Sequence, residues 1–128
     1  MAITRLEDII AWQKEKVLTV QLYKKTNKLN DYGFKDQIQR ASVSIMNNLA
    51  EGYERRPNKE FVCFLNIAKG SCGETRSVLI PKAKLEYFDK NKTDFIKTLS
   101  EGISKMISGL MLNFDLLIRF RLLTFNCN

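Results

Sequence analysis

The chain has 128 residues, of which 45% are hydrophobic and 27% charged, enough for one domain with a real core but hardly for two. That is ordinary globular composition and argues against a disordered chain. Lys and Arg number 21 against 14 Asp and Glu, a net charge of +7, which attracts phosphate backbones, anionic lipid or acidic proteins without choosing among them. Histidine is absent. Nucleophile systems that use an imidazole base, and His-ligated metal sites, are therefore excluded.

Six Gly and two Pro in the whole chain predict long uninterrupted elements. The first segment runs from about Leu6 to Leu29. Its apolar residues Ile9, Ile10, Trp12, Val17, Leu18, Val20, Leu22 and Tyr23 form a wide stripe, and Lys14, Glu15, Lys16, Lys24 and Lys25 fill the remaining surface. Asn27, Asn30, Asp31 and Gly33 mark a turn. The second segment spans about 34–52. Phe34, Ile38, Ala41, Ile45, Leu49 and Gly52 step by three or four, a helical face that no period-two strand matches. The third starts after Asn58, a suitable N-cap, and spans about 59–88. Phe61, Phe64, Leu65, Ala68, Cys72, Thr75, Val78 and Leu79 keep its helical period, and a kink is expected at Pro81. The fourth spans about 91–121. Ile96, Leu99, Ile103, Met106, Leu110, Phe114 and Leu117 form one stripe, and its second half is apolar on nearly every side.

Four amphipathic segments with short joints read as one all-α domain, an antiparallel up-and-down four-helix bundle. A bundle core needs one stripe per helix. Self-association is the simplest home for the surplus apolar surface of segments one and four; aggregation-prone exposure and a longer intramolecular core are the alternatives.

Cys63, Cys72 and Cys127 make an odd count that fits no closed disulfide framework. On one helix, nine residues put Cys63 and Cys72 on opposite faces, about 13 Å apart along the axis. All three read as small buried hydrophobes. The opening MAITRLEDIIAWQKEK has acids where a secretory signal would have its apolar stretch. Leu110–Phe125 is too short for a membrane span and is interrupted by Asn113, Asp115, Arg119 and Arg121. The expectation is a soluble, cytoplasmic protein in a reducing compartment.

Several stretches resemble the 23S rRNA intervening-sequence proteins, also called four-helix-bundle proteins. Trp12-Gln13-Lys14 is similar to that family's opening helix motif, and QIQRASVSIMNNLAEGYERR, Gln37 to Arg56, to its most recognisable signature. KEFVCFLNIAKGSCGE, Lys59 to Glu74, resembles its third helix, and LSEGISKMISGL, Leu99 to Leu110, its last. Pro81 and Cys72-Gly73 depart from the usual pattern. The resemblance implies a four-helix bundle assembling into a homopentamer. It implies two settings: insertions within 23S rRNA genes, and accessory proteins of diversity-generating retroelements that bind a reverse transcriptase and RNA.

Polar residues interrupt the apolar stripes. Asn48, Glu51, Ser71 and Glu74 read as a structural polar network that fixes helix register, since buried charges demand partners. Arg40, three or four residues from its neighbours on the same helix, is placed to approach Glu74. A catalytic carboxylate pair is the sharper alternative, but bundle metal sites rely on Glu-x-x-His motifs, and no catalytic residue, metal or cofactor is expected. Gly70-Ser71-Cys72-Gly73 lacks the Lys of a phosphate loop; Gly52, Gly70 and Gly73 read as small residues that let helices approach.

Arg55, Arg56 and Lys59 make the tightest basic group, with Tyr53 beside them as a stacking surface; Arg40 and Lys69 are further candidates for nucleic-acid contact. Lys24, Lys25 and Lys28 end the first helix, and Lys82, Lys84, Lys90 and Lys92 crowd the joint between the third and fourth. Ordinary solvated helix ends account for such groups equally well. The expected partners are other copies of the chain, structured RNA read by shape, and in the retroelement setting a reverse transcriptase; no membrane is expected.

Overall fold

The computed structural model describes residues 9–55 and 60–120, without the side chains of 114–120. Four helices follow in chain order: α1 Ile10–Thr26, α2 Tyr32–Glu54, α3 Glu60–Lys84 and α4 Lys90–Phe120. Among the described residues there is no strand. Each helix packs on two others, in the cycle α1–α2–α3–α4–α1. The seam is built from Leu18, Leu22, Ile38, Ile45, Leu49, Leu65, Cys72, Leu79, Ile96, Ile103 and Ile107, all sealed from solvent.

Two aspartates start helices. Asp31 accepts a 3.2 Å hydrogen bond from the Phe34 amide, and Asp89 a 2.8 Å one from the Lys92 amide. Each satisfies one of the donors a helix N-terminus leaves open. Asn58, the cap expected for α3, lies outside the described residues. Gly52 fixes how closely α2 and α3 meet: a Cβ there would stand 3.0 Å from Phe61 Cδ1 and from Phe64 Cβ. Gly70 and Gly73 do not act this way, since the space a Cβ would enter at either is open.

The third helix passes through Pro81 and ends at Lys84, four residues short of the expected end. The reason is a cap. Tyr87 N–H donates to Lys82 O and Glu86 N–H to Ala83 O, both at 3.1 Å, while Glu86 takes the left-handed conformation at φ 60°. This is the double-bonded C-terminal motif that usually places Gly where Glu86 stands. Beyond it Phe88 turns into the core while Leu85 stays exposed.

The first helix faces inward through Ala11, Glu15, Leu18, Leu22 and Thr26, steps of four, three, four and four. Glu15 is thus fully buried, not part of the surface. Ile10, Val17, Val20 and Tyr23 lie outward and remain exposed. The cysteines also divide. Cys72 is a buried free thiol, whose pKa burial and the nearby Glu15 push up to about 12. Cys63 is half-buried and disulfide-bonded, so the reading as a small buried hydrophobe holds for Cys72 and not for Cys63.

Candidate nucleic-acid interface

The expected polar network splits. Ser44 Oγ and Ser71 Oγ lie 3.0 Å apart across α2 and α3, and Asn48 Nδ2 donates to Ser44 O and Oγ at 2.8 and 3.1 Å. Glu51 and Glu74 are exposed and, among the described residues, make no hydrogen bond with it. Arg40 does not reach Glu74; it pairs with Asp36 one turn back on its own helix, at 3.1 Å.

Among the described residues, the buried carboxyl is that of Glu15. Its Oε1 stands 3.0 Å from Ser42 Oγ and 3.3 Å from Thr19 Oγ1, and those two hydroxyls are 2.6 Å from each other. Both hydroxyls donate to Oε1, and each has one proton to give, so their own 2.6 Å contact competes for the same protons. Burial raises the Glu15 pKa to about 8 against the opposing hydrogen bonds from Ser42 and Thr19. The second oxygen, Oε2, is buried without a hydrogen-bond partner among the described residues. The spacing signal was in the sequence, since residue 15 falls in the register of 11, 18, 22 and 26. The flanking lysines and a second apolar row on the same helix masked it.

Two groups of cations stand at opposite ends of the molecule. At the α2–α3 end, Arg55 Nη1 pairs with Glu60 Oε2 at 2.7 Å, and its guanidinium lies 5.1 Å from the Phe64 ring centre. Arg56 and Lys59 lie outside the described residues. Arg40 is 80% exposed and borders a shallow groove of about 350 Å³ with Tyr23, Val43, Ser44, Asn47 and Asn48. Fifteen helical residues separate it from Arg55, about 22 Å, so the two cannot share one phosphate. Lys69 is exposed on α3.

At the other end the α1–α2 and α3–α4 joints come together. Lys82 Nζ donates to Asp31 Oδ2 at 2.9 Å, and Tyr87 Oη donates to the same oxygen at 2.8 Å. The Lys82 ammonium also sits 5.4 and 4.9 Å from the Phe34 and Tyr87 ring centres. These contacts hold the Asp31 carboxyl down to about 2, Lys82 first, then Tyr87 and the Phe34 amide. With Lys82 committed to this clasp, Lys24 and Lys25 of α1 and Lys28 just after it share the end with Lys84, Lys90 and Lys92. The sequence separates these two sets by more than fifty residues; only the chain reversal of α2 and α3 unites them. Lys25 and Lys92 border one groove, and the Lys92 ammonium pushes the Lys25 pKa down.

A solved structure shares this arrangement. It is a protein of unknown function from the S23 ribosomal protein family of Bacteroides thetaiotaomicron, 25% identical, with a TM-score of 0.73 over 79% of this chain and 97% of that one. No curated protein matches the chain. The family model described as 23S rRNA-intervening sequence protein matches residues 7–109, which span α1 to α3 and two-thirds of α4. On that match, the chain belongs to the 23S rRNA-intervening sequence protein family.

Proposed function

We propose that the protein is a non-enzymatic, basic, oligomeric scaffold that binds structured RNA through its phosphates. The observation that carries this reading is the convergence of lysines from two distant joints on one end of the molecule. Sequence-independent phosphate contact needs such a field and little else. Arg55 is a second basic position at the far end, and Arg56 and Lys59 follow it in sequence. Arg55 contributes less there than its charge suggests, because Glu60 already neutralises it.

The outward side of α1 supports self-association. Ile10, Val17, Val20 and Tyr23 share that side, and Trp12, Val17 and Val20 border a shallow groove of about 470 Å³. A homopentamer covers this row and repeats the lysine end around a ring, so that weak contacts act together. The scaffold reading also accommodates Glu15, which is sealed from any substrate and serves helix register.

The test is titration of a labelled hairpin RNA with the purified protein at several salt concentrations. The proposal expects binding whose logarithm falls linearly with the logarithm of salt. Charge reversal at Arg55 and Arg56 should weaken it with helical content intact. No binding at low salt would overturn the reading.

A further inference from the structure

Glu15 is a carboxyl sealed inside the bundle, and the scaffold reading makes no use of its acidity. Its Oε1 takes two hydroxyls, Ser42 of α2 at 3.0 Å and Thr19 of its own helix at 3.3 Å. Its Oε2 is buried with no partner among the described residues. Ionising the carboxyl places charge on an oxygen that no donor meets, and an unpaired buried charge is among the costliest groups a core can hold. The core residues of α2 beside it are Ile38, Ser42, Ile45 and Leu49, and those of α4 are Ile96, Ser100, Ile103 and Ile107, none of them titratable. On α3 the titratable group is Cys72, whose thiol the Glu15 charge holds further from ionisation. Arg76, one turn along α3 from Cys72, is turned to α4, its Nη1 3.4 Å from Ser100 O and Oγ. Lys14 and Lys16 flank Glu15 in sequence and are exposed.

The cluster also lies where α1 is attached. The contacts Thr19–Ser42, Ser42–Glu15 and Gln39–Thr26 tie α1 to α2. At its start the N-cap is Ile9, which makes no side-chain cap bond. By contrast, α2 and α3 are locked at one end by the close approach at Gly52 and at the other by the Asp31–Lys82 pair. We propose that Glu15 makes α1 a pH-gated helix: loss of its proton releases α1 from α2 and brings the carboxyl to water, while α2, α3 and α4 stay packed. Burial raises the Glu15 pKa from 4.5 to about 8. Between those values the open form has released a proton that the closed form keeps, so each pH unit favours opening by about tenfold, and the effect levels once both forms are ionised. The outward apolar row of α1, with Lys24 and Lys25, moves with the gate. The gate stands on the core alone and is independent of the RNA reading.

Cys72 is a built-in probe. It is a free, buried thiol on α3, diagonally across the bundle from α1, and the departure of α1 uncovers it. The experiment treats the full chain with iodoacetamide from about pH 5.5 to 9 and follows the Cys72 peptide by mass spectrometry. Dividing its rate by that of the protein unfolded in urea at each pH removes the thiol's own pH dependence. The wild type is expected to lose about tenfold in Cys72 protection per pH unit between about 5.5 and 7.5, levelling above about 8. Glu15→Gln is expected to show no such slope, and Glu15→Leu carries the comparison if the amide variant loses its helices. Backbone hydrogen exchange, corrected for its intrinsic pH dependence, distinguishes the gate from global unfolding. Amides of α1 are expected to follow Cys72, while those of α3 and α4 keep their protection. A flat wild type, a slope retained in the Glu15 variants, or protection lost equally from all four helices would overturn the gate.

Discussion

Glu15 of α1 and Ser42 of α2 meet at 3.0 Å inside the core, twenty-seven residues apart in sequence. Thr19 joins them, both hydroxyls donating to the Glu15 carboxyl, and burial favours the protonated form of that carboxyl. Its folded pKa of about 8 lies above the ordinary carboxyl value of 4.5. The folded protein therefore binds more protons than the unfolded chain between those values. The contribution to stability is full below about 4.5 and is lost as pH rises through 8. The size of that loss is at most about 5 kcal/mol. Glu15→Gln keeps the shape and the amide can still hydrogen-bond Ser42, but it does not titrate. Urea unfolding at mildly acidic and mildly alkaline pH should show the variant gaining on the wild type as pH rises. A constant difference across that range would contradict a buried neutral acid.

Asp31 has the opposite sign. Its pKa is held at about 2 by Lys82, Tyr87 and the Phe34 amide. The stability it contributes is present above the ordinary carboxylate range and is lost as pH falls through 2. Asp31→Asn should lower the melting temperature near neutral pH, and the gap to the wild type should shrink in acid and close near pH 2. Thermal unfolding followed by circular dichroism checks this. Lys82→Met, which removes the main partner while keeping the stem, should reproduce part of the loss.

Glu86 occupies a position that favours glycine, with φ at 60°. A non-glycine residue there costs about 1 kcal/mol or somewhat more. Glu86→Gly relieves that cost and adds chain entropy to the unfolded state, so the net gain should be about 0.5–1 kcal/mol. Glu86→Ala should gain nothing. Chemical denaturation of the three proteins distinguishes the backbone effect from loss of the side chain.

Gly52, Gly70 and Gly73 give an internal comparison. A Cβ at Gly52 meets Phe61 and Phe64 at 3.0 Å, so Gly52→Ala should cost about 1–3 kcal/mol by pushing α2 from α3. Gly70→Ala and Gly73→Ala enter open space within α3 and should each stabilise by up to about 1 kcal/mol. Thermal shifts of opposite sign are the expected result.

The four helices were legible because Phe34, Ile38, Ala41, Ile45 and Leu49, and their counterparts on α3 and α4, follow one period. The inward phase of α1 was not. Apolar residues on both sides of that helix support two registers, and the lysines around Glu15 favour the wrong one; only the packing of Leu18 and Leu22 decides. The end of α3 was misplaced because Glu86 performs a glycine's task, leaving no sequence mark. The candidate interface was legible as residue groups but not as a surface. Lys25 and Lys92 are ordinary helix-end lysines until the fold sets them on one groove, whereas Arg40, Arg55 and Lys69 carry charge at separated places.

The most direct test of the account is the solution mass by light scattering, with and without a structured RNA, at low and moderate salt. The oligomeric RNA-binding scaffold predicts a mass near five chains that rises with RNA and loses the rise as salt increases, and a Val17→Asp/Val20→Asp variant that falls to a smaller mass with its helices intact. A monomer indifferent to RNA would contradict both the proposed burial of the α1 apolar row and the reading of the lysine end as a phosphate surface.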